Sequence, residues 1–150
     1  MKRIFLSTLL ILFAFCGYSQ SGVYQSKKFE FISENTPSRN RVETKNNTLT
    51  FQINESNGEF ISGKILWEMK SNSGNAEILE MSLKRIKNSY FEETVNAFIK
   101  IYAADIIINS QIVDQIDVYI WKFVANNTFR VDMVDSKQKT INRFDNIVKL

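Results

Sequence analysis

The stretch TLTFQINESNGEFISGKILWEM, residues 48–69, decides how this chain folds. Leu49, Phe51 and Ile53 alternate with Thr50, Gln52 and Asn54. After a turn, Ile61, Ile65, Trp67 and Met69 alternate with Ser62, Lys64, Glu68 and Lys70. A period of two places each set on one face of a sheet, so the stretch reads as a β-hairpin. Asn57-Gly58 suits a two-residue turn. That turn would oppose Phe51 to Lys64 and Ile53 to Ser62, apolar against polar along the hairpin. A three-residue loop, Ser56-Asn57-Gly58, restores parity and predicts Ile53 opposite Ile61, Phe51 opposite Gly63 and Leu49 opposite Ile65. It also sets Gly58 at the left-handed bulge position. Gly63 then implies a bend, or bare backbone on which the Phe51 ring can lie.

Outward from the hairpin the same pattern recurs. Residues 27–32 carry Phe29 and Phe31 on one face, and Glu34 to Ser38, with the only proline, is turn chemistry. Residues 41–44 form a short polar strand, and 71–75 a loop. Segments 116–124 and 129–135 flank Asn126-Asn127, read as a two-residue type I′ turn. That register opposes Val124 to Phe129, Lys122 to Val131 and Ile120 to Met133. It sends Tyr119, Trp121 and Phe123 to the other face, with Arg130 opposite Phe123 and diagonal to Trp121. The tail, 140–150, fits a last strand with Phe144, Val148 and Leu150 inward, or a short helix.

The middle supports two periods. Leu79, Met81 and Leu83 alternate as in a strand, yet Phe91, Val95, Phe98, Ile99, Tyr102 and Ile106 fall at helical spacing. The density of β-branched and aromatic residues favours strands, with Asn88-Ser89 as a turn or break between them. The expected class is all-β, an antiparallel up-and-down meander closing into a barrel or sandwich. The alternative is α+β, with helical segments in 76–106.

Residues 1–19 read as a secretory signal peptide. Lys2-Arg3 precede an apolar run from Ile4 to Phe15, and Gly17-Tyr18-Ser19 supplies small residues at the cleavage site. Phe15 directly before Cys16 argues against a lipoprotein. The expectation is export across the inner membrane to a periplasmic or extracellular location, with 20–150 as a single β-rich domain. Removing 1–19 from the 150 residues leaves 131. It takes two of the 19 basic residues and none of the 16 acidic ones, so the formal charge falls from +3 to +1. No basic cluster remains to bind nucleic acid. Strands with charges on the outward face and no aromatic girdles argue against a membrane-spanning barrel.

The single cysteine leaves with the signal, and the chain contains no histidine. Disulfides, thiolate or imidazole metal sites, cysteine nucleophiles and histidine-based triads are thereby excluded from the mature chain. Glu92 and Glu93 are adjacent, so a strand would point them to opposite faces and prevent joint acid–base work. Asp114 with Asp117, and Asp132 with Asp135, lack the alternation and glycine of a dedicated calcium loop. Asn46, Asn54 and Asn126 match glycosylation acceptors by formula. No catalytic residue, metal or cofactor is expected.

Gly22-Val23-Tyr24 entering the first strand, in an all-β meander of this size behind a signal, resembles the lipocalin-like (calycin) barrels. That family carries Gly-x-Trp here, with Tyr24 at the tryptophan position. It often adds an arginine near the last strand packing over the ring, for which Arg143 is the candidate. The resemblance implies a cup holding a small apolar ligand, with Leu49, Phe51, Ile65, Trp67 and Met69 as lining. The other reading is a non-catalytic interaction or structural protein of the cell envelope. Its partner surface would be the stripe of Tyr119, Trp121, Phe123 and Arg130, since interface centres concentrate aromatics and arginine.

Overall fold

The computed structural model describes residues 21–56, 59–70 and 76–150. The expected signal peptide with Cys16, the residues Asn57-Gly58 and the loop 71–75 lie outside them. Ten strands form one antiparallel sheet: β1 (Gly22–Ser26), β2 (Lys28–Ser33), β3 (Arg41–Glu43), β4 (Asn47–Ser56), β5 (Glu59–Lys70), β6 (Ala76–Glu92), β7 (Ala97–Ile108), β8 (Gln111–Phe123), β9 (Phe129–Asp135) and β10 (Thr140–Lys149). From β4 to β10 each strand pairs with the next in sequence. β1 pairs with β4 on one side and with the end of β10 on the other, while β2 pairs with β10 and β3. β1 and β2 thus act as one bent stave, as do β3 and β4. The meander closes into an eight-stranded up-and-down barrel. Closure leaves few free edges, which is how such sheets avoid edge-to-edge pairing.

The bend between β1 and β2 has a chemical cause. Ser26 is fully buried there, and its hydroxyl shares its proton between the carbonyls of Lys28 and Asp145, 2.8 Å from each. A side-chain bond of this kind replaces ladder bonds where the strand changes partners. A 3₁₀ turn, Pro37–Arg39, follows β2. Proline at its first position has φ preset for the turn.

The strand reading of 76–106 holds: β6 and β7 pair along the whole segment. Asn88-Ser89 is not the turn, however. Both residues lie within β6, beside bulges that absorb the irregular spacing. The reversal falls at Glu93 to Asn96, where the Asn96 N–H donates to the Glu93 carbonyl (3.3 Å) and Asn96 takes φ 51°. A left-handed residue there suits asparagine. Thr94 and Val95, read as strand or helix, are part of this exposed turn.

The central hairpin keeps its faces and changes its register. Leu49, Phe51, Ile53 and Ile65 are buried together with Trp67 packed on them, but Phe51 opposes Ile65, Ile53 opposes Gly63 and Leu49 opposes Trp67. Ser56 closes on Glu59, the register of a two-residue turn. Parity is recovered by a bulge between Asn54–Ser62 and Glu55–Phe60 that leaves Ile61 extra. Ile61 is consequently 64% exposed, while Phe60 turns inward onto Tyr102 at 5.2 Å. Gly63 does clear space for a ring, but the ring is that of Phe60: a Cβ at Gly63 would stand 3.1 Å from Phe60 Cε2.

The β8–β9 hairpin also departs from its expected register by two residues, so its faces are unchanged. Lys122 opposes Phe129, Ile120 opposes Val131 and Trp121 opposes Arg130. The Asn126 carboxamide accepts from the Thr128 N–H (3.1 Å) and hydroxyl (2.7 Å). The Val124 N–H donates to the Asn96 carbonyl of the neighbouring turn (3.1 Å). With Val124 so engaged the ladder stops at Phe123–Thr128, and Val124 stays outside the core. In β10, a bulge at Asn146 (φ 51°) shifts the parity after Phe144. Ile147, rather than Val148 or Leu150, therefore joins the core, and Leu150 is exposed.

Candidate functional site

The inward residues fill the barrel. Leu49, Ile65, Met81, Val118, Ile120, Val131 and Phe144 are all essentially without solvent contact. At the end where β1 enters, Tyr24 packs edge-on against Phe51 (4.7 Å) and Phe129 (5.8 Å). Of the five expected lining residues, Leu49, Phe51 and Ile65 thus belong to a packed core. Trp67 and Met69 lie toward the opposite end, half-buried. There Trp67 stacks on Phe29 (5.5 Å, 28°) and meets Phe144 edge-on (4.8 Å). A cleft of about 480 Å³ opens beside them, lined also by Gln25, Arg41, Glu43, Lys45 and Glu68. A neighbouring hollow of about 350 Å³ lies among Phe31, Leu79, Ile106, Ile116 and Met133.

The four residues of the expected partner surface do come together, on the outer wall. Trp121 stands between Ile99 and Arg130 in the ladder, Tyr119 between Ile101 and Asp132, and Phe123 beside Ala97. Ile99 and Ala97, the ladder partners of Trp121 and Phe123, are fully buried although they face outward. Trp121 and Phe123 are near parallel at 6.5 Å, and the Arg130 guanidinium sits 5.8 Å from one and 5.3 Å from the other. Arg130 is fixed by a two-bonded fork to Asp145 (3.2 and 3.1 Å). Burial pushes the Asp145 carboxyl up, but Arg130, the Asn146 N–H and Lys28 outweigh it and hold the group below the usual range. Tyr119, Trp121 and Phe123 are half-buried, and the strands packed most closely on β8 are its ladder neighbours β7 and β9. The Trp121 indole N–H is shut from solvent and has no acceptor among the described residues, as is also true of Trp67.

Arg143 does not pack over Tyr24. It faces outward and forks onto Asp132 (2.9 and 3.1 Å), with Glu30 at 3.6 Å. The Asp132 carboxylate is the leading cause of the raised Arg143 pKa. The calcium candidates are likewise spent on structure. Asp117 pairs with Lys87 at 2.7 Å, and Asp135 accepts from the Lys137 and Gln138 N–H groups to shape the β9–β10 turn. Among the described residues no cluster of three acidic, histidine or cysteine side chains is placed to hold a metal.

One feature was missed by sequence reading. Lys100 and Glu55 both point into the barrel and pair at 2.6 Å, with side chains only 4% and 10% exposed. Tyr102, next inward on β7, has its phenol pushed far up, first by burial and then by the Glu55 charge. The signal was present: Lys100 interrupts the inward run Phe98, Tyr102, Ala104, Ile106 and needs an opposite charge if that run is a strand.

Comparison with known proteins gives no match to any family model, curated protein or solved structure. The fold is an eight-stranded antiparallel barrel, compatible with the lipocalin-like class without being diagnostic of it. Among the described residues no helix is long and apolar enough to cross a membrane.

Proposed function

We propose that this is a non-catalytic, exported β-barrel that recognises a component of the cell envelope through its outer wall. The observation that carries the reading is the row of Tyr119, Trp121 and Phe123 on the outer wall, half-buried but open in part to solvent and backed by Arg130. Rings laddered beside the buried Ile99 and Ala97 form a preorganised platform, so little side-chain entropy is lost on binding. Aromatic and arginine side chains held this way are the usual anchors of interfaces. The signal-like N-terminus supports an envelope location, and the lack of histidine and mature cysteine supports a non-catalytic role.

The test is co-sedimentation of the purified domain with envelope fractions. Wild type should pellet with the envelope, and Tyr119→Ala/Phe123→Ala should lose about tenfold in affinity while keeping its fold. Retention of binding by the double variant would sink the outer-wall reading. The alternative, a carrier of a small apolar ligand, finds little room among Leu49, Phe51 and Ile65, but keeps a foothold at the cleft beside Trp67 and Met69.

A further inference from the structure

The barrel wall parts at one place, where β3 is not laddered to the end of β5 among the described residues. β3 pairs only with β2 among the described residues, and β4 begins at Asn47. The β4–β5 ladder ends at Thr48–Glu68, while β5 runs on to Lys70 against β6. Between β3 and the end of β5 lies the cleft of about 480 Å³, within the range of roughly 300–1,000 Å³ typical of small-molecule sites.

Its two walls differ in chemistry. The floor is aromatic and apolar, made by the stacked Phe29 and Trp67 with Met69. The β3 side carries two cations for one carboxylate: Arg41 meets Glu43 through Nε (3.1 Å), and Lys45 pairs with the same carboxylate. Arg41 and Lys45 keep 61% and 57% of their side chains exposed. The Arg41 guanidinium lies 5.9 Å from the Phe29 ring centroid and 5.5 Å from that of Phe31, so its charge is held at the lip of the aromatic floor. Glu68, exposed on the outward-facing set of β5, also lines the cleft.

We infer that this gap is a binding site for a flat aromatic carboxylate, whose ring system lies on Phe29, Trp67 and Met69 while its carboxylate meets Arg41 and Lys45. The apolar floor supplies burial and stacking, and a guanidinium–carboxylate contact at the lip fixes orientation. The site is separate from the outer-wall platform, and neither depends on the other.

Calorimetric titration with 2-naphthoate and its neutral counterpart 2-naphthylmethanol tests the assignment. Wild type should bind the acid about tenfold more tightly than the alcohol, a difference of about 1.4 kcal/mol. Arg41→Gln/Lys45→Gln, a change of exposed side chains checked by its thermal melt, should bring the two ligands to equal affinity. Phe123→Ala should leave both titrations unchanged. The assignment is overturned if neither compound binds at millimolar concentration, if wild type binds both equally, or if the acid keeps its advantage in the Arg41/Lys45 variant.

Discussion

Lys100 and Glu55 form an ion pair inside the barrel, Nζ to Oε1 2.6 Å, joining the middle of the sheet to the far end of β4. Removing one charge from such a pair strands the other without water, which costs about 3–5 kcal/mol. Lys100→Met should therefore destabilise by about that amount in urea denaturation. Lys100→Met/Glu55→Leu should recover most of the loss, because two apolar side chains replace two desolvated charges. Additive losses in the double variant would show that the charges are not coupled.

The bulge in the central hairpin separates neighbouring residues sharply. Phe60 packs on Tyr102 over Gly63, whereas Ile61 faces solvent. Phe60→Ala should cost roughly 2–4 kcal/mol, and Ile61→Ser about 0.5 or less. Phe51→Ala should cost about 3–5 kcal/mol, against about 0.5 for Gln52→Ala. A large loss for Ile61→Ser would restore the three-residue loop and its register.

These two cases show what the sequence made legible. Where the strands are regular, side-chain faces followed from the period of two, so Leu49, Phe51, Ile65 and Ile120 were set on one face and Trp121 on the other. Bulges reversed the expected faces of Ile61, Val148 and Leu150. Registers did not follow, because bulges at Ile61 and Asn146 and the Val124–Asn96 backbone bond are set by contacts between hairpins distant along the chain. The helical spacing of 91–106 was an accident of a turn, 93–96, leading into a strand that is buried on both faces. Of the candidate site, the outer stripe was readable from alternation alone. The cleft was not, since it arises where β3 and β4 part company.

Acid should weaken the outer wall through Asp145. Its carboxyl is held below the ordinary value by Arg130, so the stabilisation is fully present above the unfolded pKa of about 3.9 and is lost as pH falls through the lower folded value. Stability measured from pH 6 to 2 should decline below about pH 4 in wild type, and less steeply in Asp145→Asn. Identical slopes would mean that Asp145 carries no linkage.

Trp121 offers the most direct check on the outer wall. Trp121 is half-buried while its indole N–H is shut away without a described acceptor, an arrangement that leaves a donor's desolvation uncompensated, about 1–3 kcal/mol. With Trp67 replaced by Phe, emission reports Trp121 alone. Acrylamide should quench it to a degree between free indole and a core tryptophan. Phe123→Ala should raise the quenching, because Phe123 and Arg130 flank the ring. Trp121→Phe removes the orphaned N–H and should change stability little, the lost ring area being offset by the relieved donor. An unquenchable Trp121 in the full-length protein would mean that something outside the described residues covers the row. The proposed envelope-binding platform would then be lost, and the proposed site in the cleft at Trp67 would remain.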